Sequence, residues 1–221
     1  MPNLSRGQVG EHQVRLYAYL GDEASRAVVG DVAADGLKLS DWVIGIAQWG
    51  REVLAAMCCE LARRSLAVAA NHRSLEHADW RDSFDVESAS RCLDFARQYI
   101  GAGDSQKTQL QHHVQLARQV LSSAELCVLE ASGTDTSRRR ALAAIESVAF
   151  TIAVLAWNEE SCRANTLDGD DVELEAMLRA GPSVEAWYAV RAAKTALEWE
   201  DHKVREFIRG CLVPWSNGTH V

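Results

Sequence analysis

The stretch ALAAIESVAFTIAVLAW, residues 141–157, holds only three polar side chains, Glu146, Ser147 and Thr151, in seventeen positions. Arg138-Arg139-Arg140 precedes it and Asn158-Glu159-Glu160 follows it. A helix that is apolar on nearly every side is stable only when other elements surround it. The run is slightly short for a bilayer span and carries a glutamate near its start, so it reads as a buried core helix. Its flanks read as amphipathic helices. The expected fold is all-α, a single domain of about six helices in antiparallel pairs around this buried central helix.

On the C-terminal side, a short helix over 172–180 runs into the break Gly181-Pro182. Ser183 is then placed to cap a last long helix. Its apolar stripe is Ala186, Val190, Ala193, Leu197, Asp201, Val204, Ile208 and Cys211, and Pro214 ends it. On the N-terminal side, a helix from Gln106 to Ala131 carries Leu110, Val114, Ala117, Leu121, Ala124 and Val128 on one face, closed by Ser132-Gly133. The short loop to residue 141 makes it the antiparallel neighbour of the central helix. Before it, Glu87 to Ile100 turns Cys92, Phe95, Ala96 and Tyr99 inward and is stopped by Gly101 and Gly103, and 71–84 is a charged connection anchored by Trp80.

The first strong helix begins at Ser40 as N-cap and repeats Trp42, Ile46, Trp49, Val53, Met57 and Leu61 at steps of three and four, a single face held along the helix. Gly45 and Gly50 interrupt it as points of close approach for a neighbour. Alanine pairs at Ala55-Ala56, Ala143-Ala144 and Ala192-Ala193 likewise allow helices to pack closely. Residues 1–38 form a helical and loop extension, 39–215 the helical domain, and 216–221 a flexible tail.

Composition narrows the function. Across 221 residues the net charge is −8, which argues against nucleic-acid binding, where Lys and Arg must neutralise phosphates. The one dense basic run, Arg138-Arg139-Arg140, sits where a helix begins and reads as a solvated helix end, with a phosphate contact as the alternative. The first fifteen residues carry Arg6, Glu11, His12 and Arg15 and lack an apolar stretch, so no secretory signal is expected and the compartment reads as cytoplasmic. The six cysteines, Cys58, Cys59, Cys92, Cys127, Cys162 and Cys211, show no CxxC or zinc-ligand spacing and read as reduced packing residues.

Candidate chemistry is sparse. Asp201 interrupts an apolar stripe beside Glu198, Glu200 and His202. It is either a buried acid, available as a general base or metal ligand, or a solvent-facing group paired with an arginine such as Arg205. Glu146 poses the same question, with Arg140 as a partner. His112 and His113 point about 100° apart on a helix and do not share a metal easily. His72, His77, Glu76 and Asp79 form a polar cluster without a metal-binding spacing, and Cys58-Cys59 face different ways. GxSxG, P-loop and GxGxxG signatures are absent. Asp168, Asp170, Asp171, Glu173 and Glu175 crowd one segment with no base among them. That segment is a solvated helix entry or a contact for a basic protein partner.

The pieces Trp49-Gly50-Arg51-Glu52-Val53-Leu54 and Ala89 to Arg97, followed by the alanine-rich 141–150 segment, come in an order similar to that of small all-helical bacterial immunity proteins of polymorphic toxin systems. The resemblance implies a non-enzymatic cytoplasmic protein that neutralises a toxin by binding it; separately, the residue spacings lead us to expect no cofactor or metal. The expected function is accordingly a protein-binding module, an immunity or regulatory factor, contacting its partner through Asp168–Glu175. The alternatives are a helical-bundle small-ligand binder or metal-dependent enzyme using Asp201, Glu198 and His202, and a structural subunit with tryptophans as interface anchors.

Overall fold

A computed structural model describes residues 38–70, 86–102, 136–160 and 178–216, together with 106, 107, 111, 114 and 175. Among these residues there is no strand, and the fold is all-α. Helix α1, Leu39–Gly45, passes through a 3-10 turn, Ile46–Trp49, into α2, Arg51–Ala70. Then come α3, Val86–Gly101; α4, Thr136–Ala156; α5, Ser183–Leu197; and α6, Asp201–Ser216.

Helix α4 is the centre. Residues 141–145, 147–149 and 151–156 are buried, and Glu146 and Phe150, one turn apart, form its half-buried outer edge. It packs against α5, α2 and α3; α5 packs in turn on α2 and α1, and α6 on α2. Small side chains make the close approach possible. Ala144, Ala189, Ala193 and Ala55 are fully buried, and the Ser147 hydroxyl reaches across to donate to the Ala189 carbonyl at 2.9 Å. The Cys58 thiol lies 3.8 Å from the Ala186 carbonyl. The buried Thr151 hydroxyl donates to the Ser147 carbonyl at 2.8 Å, so the polar atoms of the central helix are satisfied within the core, as burial requires.

Arginines bind the carbonyl ends of these helices, where the macrodipole is negative. Arg51, at the start of α2, donates to the carbonyls of Leu155 and Trp157 at 3.5 and 2.9 Å. Arg140, near the start of α4, donates to the Ala196 carbonyl at 3.0 Å.

Two helices expected to be continuous are broken. The Trp42–Leu61 stripe is buried at Trp42, Ile46, Val53, Met57 and Leu61, but the backbone turns at Gly50, with φ 103° and ψ 161°. This conformation is essentially restricted to glycine. No heavy atom lies within 4 Å of a Cβ built there, so Gly50 serves a turn and not the close helix contact expected of it. The second break divides the C-terminal helix at Glu198, which is left-handed at φ 54° and ψ 39°. Its N–H bonds the Thr195 carbonyl and the Trp199 N–H the Lys194 carbonyl, the paired bonds of a Schellman turn.

Several expected boundaries also shift. Lys38, not Ser40, stands before α1, and Ser40 lies within its first turn. Pro182 takes the N-cap position of α5 without a side-chain cap, since proline loses nothing where the backbone N–H is unpaired anyway. The Ser183 hydroxyl instead donates back to the Ala180 carbonyl at 2.5 Å. Helix α3 includes Gly101 and buries Ala89, Leu93, Ala96 and Tyr99, while Cys92 and Phe95, expected inward, are half-buried. Helix α6 continues past Pro214 to Ser216. Within the expected 106–131 helix, residues 106, 107, 111 and 114 are helical. The rest, including the loop expected to pair it with α4, lies outside the described residues, as do 1–37 and 71–85.

Candidate functional site

The first turn of α4 presents Thr136, Arg139 and Arg140, and the last turns of α5 present Arg191, Lys194 and Thr195. Both sets follow the i, i+3, i+4 spacing that places side chains on one helix face. The Schellman turn adds Glu198, Trp199 and Glu200, and together these nine residues line an open cleft of about 510 Å³. Four bases and two carboxylates leave this lining at +2, on a chain whose net charge is −8.

The bases are not equivalent. Arg140 is committed to the fold: its Nε binds the Ala196 carbonyl and its Nη1 lies 3.0 Å from Glu198 Oε2. Lys194 is paired with Asp201. Arg191 stacks on Tyr188, its Cζ 4.8 Å from the ring centroid, and Tyr188 stacks in turn on Phe150 at 5.1 Å. Stacking steadies the guanidinium plane and leaves its N–H edge available. Neither Arg139 nor Arg191 has a carboxylate partner among the described residues. Trp199, also in the lining, packs on Phe207, with centroids 5.4 Å apart. The geometry suits one chemistry, the capture of an anion by guanidinium forks in a partly walled cleft.

Asp201 is not the buried acid that an unbroken helix would make it. The Glu198 turn places it in the first turn of α6, with its side chain 52% exposed and bound to Lys194. His202 is exposed, and Glu198 faces Arg140. Among the described residues no three His, Cys, Asp or Glu side chains gather closely enough to hold a metal. Glu146 is half-buried.

Of the acidic segment, Glu175 is described. It is exposed and paired with Arg179, one turn on, at 2.8 Å. Asp168, Asp170, Asp171 and Glu173 lie outside the described residues, as do His72, Glu76, His77, Asp79, Trp80, His112 and His113. Cys58 and Cys59 are buried free thiols. Burial raises both, with Glu60 adding to the rise at Cys59, which is pushed up to about 12. Among the described residues no helix is long and apolar enough to cross a membrane.

The cleft was only half visible in the sequence. Arg139 and Arg140 belong to the basic run already noted, but Arg191 and Lys194 lie some fifty residues away in α5, and only the packing of α5 on α4 brings the two sets together. Comparison with protein-family models, with curated proteins and with solved structures gives no match.

Proposed function

We propose that this chain is a non-enzymatic protein-binding module, an immunity or regulatory factor that binds and restrains a partner, and that its contact is the cleft between α4 and α5. The observation that supports this is a pair of guanidiniums, Arg139 and Arg191, that line a basic cleft in an acidic protein and have no carboxylate partner among the described residues. On this reading the partner inserts an acidic side chain, the opposite polarity from a basic partner docking on Asp168–Glu175. The partly exposed ion pairs in and beside the lining (Arg140 with Glu198, Lys194 with Asp201) hold the walls while Arg139 and Arg191 bind.

The test is quantitative capture from host lysate by the tagged chain and by its Arg139→Glu/Arg191→Glu variant. A partner retained by the wild type and lost by the variant, with unchanged helical content, supports the reading. A partner retained equally by both refutes the cleft as the contact, and the same comparison with Asp170→Lys/Asp171→Lys tests the acidic segment. A second reading, a binder of a small anionic ligand, is favoured by the cleft's volume of about 510 Å³, which falls within the usual range for small-molecule sites. There Glu198 and Asp201 position the bases and do not react.

A further inference from the structure

We infer that the anionic group this cleft recognises is a phosphate monoester carried on a side chain of the partner, an inference that rests on the protein-binding reading above. The lining sums to +2, from Arg139, Arg140, Arg191 and Lys194 against Glu198 and Glu200, and to +1 once Asp201, the partner of Lys194, is counted with it, so the two forks of Arg139 and Arg191 carry the unpaired positive charge. A carboxylate brings a single negative charge and two oxygens, whereas a phosphate monoester brings about −1.5 to −2 near neutrality and three acceptor oxygens.

Donor geometry points the same way. Arg139 and Arg191 approach from different helices, and each offers a planar fork that pairs with two oxygens. Two forks on one group need more acceptor edges than a carboxylate has, and a tetrahedral oxyanion supplies them. Arg140, also in the lining, spends Nε on the Ala196 carbonyl and Nη1 on Glu198, which leaves Nη2 as a further donor. The first turn of α4 adds its positive dipole end beside Thr136. The cleft of about 510 Å³ exceeds what a bare ion fills, and its indole wall at Trp199 suits the organic body that carries the phosphate.

The test is titration calorimetry of the full chain at low salt with three probes, O-phospho-L-serine, L-glutamate and inorganic phosphate. Phosphoserine is expected to bind at least about tenfold more tightly than glutamate, the two-fork geometry being the source of the difference. Its affinity is expected to fall as pH drops through about 6, where the second phosphate proton returns. Arg139→Leu and Arg191→Leu are each expected to lower phosphoserine affinity about tenfold, with Arg→Lys at the same positions intermediate because it keeps charge and loses the fork. Circular dichroism confirms that each variant folds.

Glutamate binding as tightly as phosphoserine would overturn the phosphate assignment, as would phosphoserine binding indifferent to both arginines. Inorganic phosphate binding as tightly as phosphoserine would assign the cleft to the free ion and overturn the side-chain source. The lysate comparison with Arg139→Glu/Arg191→Glu is independent of these outcomes. Capture that depends on the arginines while phosphoserine fails removes only the phosphate inference, and capture that ignores them removes the reading beneath it.

Discussion

Gly50 and Gly210 offer one substitution, glycine to alanine, with opposite expected signs. In neither case does a Cβ meet any heavy atom within 4 Å, so packing is removed from the comparison and only backbone energetics remain. At Gly50 the backbone holds φ 103° and ψ 161°, a region whose occupation by a residue with a Cβ costs of order 1–3 kcal/mol. Alanine also restricts the unfolded chain, which returns about 0.4–1 kcal/mol. The net expectation for Gly50→Ala is a loss of about 1.5 kcal/mol, or a fall in Tm of roughly 3–6 °C for a domain of this size. Gly210 lies exposed within α6. There the glycine carries the penalty, and alanine should stabilise by about 0.5–1 kcal/mol. Urea unfolding followed by far-ultraviolet circular dichroism reads both changes as midpoint shifts at constant slope. A Gly50→Ala protein as stable as the wild type would refute the turn between α1 and α2 and restore the continuous helix of the 42–61 stripe.

The remaining expectations concern the other break, the core and the thiols. At Glu198 the left-handed backbone makes Glu198→Gly more stable than Glu198→Ala by about 1 kcal/mol, the reverse of the order inside a helix; equal stabilities in thermal melts would remove the Schellman turn. Ser147→Ala deletes the bond to Ala189 across the α4–α5 contact and should cost about 0.5–1.5 kcal/mol in urea unfolding, with no cost arguing against that contact. Cys59 stands at about 12 and Cys58 well above its usual 9.0 because both are buried. Above about pH 9 the unfolded thiols ionise first and bind fewer protons than the folded ones, so their contribution to stability is complete below that pH and is lost progressively as pH rises toward the folded values. Cys58→Ala/Cys59→Ala should flatten the decline in the urea midpoint between pH 8 and 10.5, and an unchanged slope would contradict it. The native protein should also leave both thiols unalkylated by iodoacetamide at pH 8, since the thiolate is the nucleophile.

The composition of 141–157 placed a buried helix at the centre, and the amphipathic periodicity of its flanks made the fold all-α. Seventeen positions with three polar residues leave little face for water, and the structure buries that helix against α2, α3 and α5, with a half-buried edge at Glu146 and Phe150. The stripes at Trp42–Leu61 and Ala186–Ile208 were legible for the same reason, because burial repeats with the helical period whatever the tertiary arrangement. Periodicity could not show the breaks within them. A left-handed residue at Glu198 leaves no local signature when the residue is not glycine, and the resumed stripe at Val204, Ile208 and Leu212 mimics continuity. Of the two readings of Asp201 that the sequence left open, the turn selects the solvent-facing one, with Lys194 and not an arginine as the partner.

The cleft is where tertiary structure decided most. Residue spacing placed Arg139 and Arg140 on one helix turn and Arg191 and Lys194 on another. Whether those turns meet depends on which ends of α4 and α5 lie side by side, and that is set by alanine-lined contacts such as Ser147 with Ala189. Net charge is a sum over the chain and was readable from composition; its local reversal, +2 on a protein of −8, arises because packing gathers four bases from two distant segments around two carboxylates of the lining.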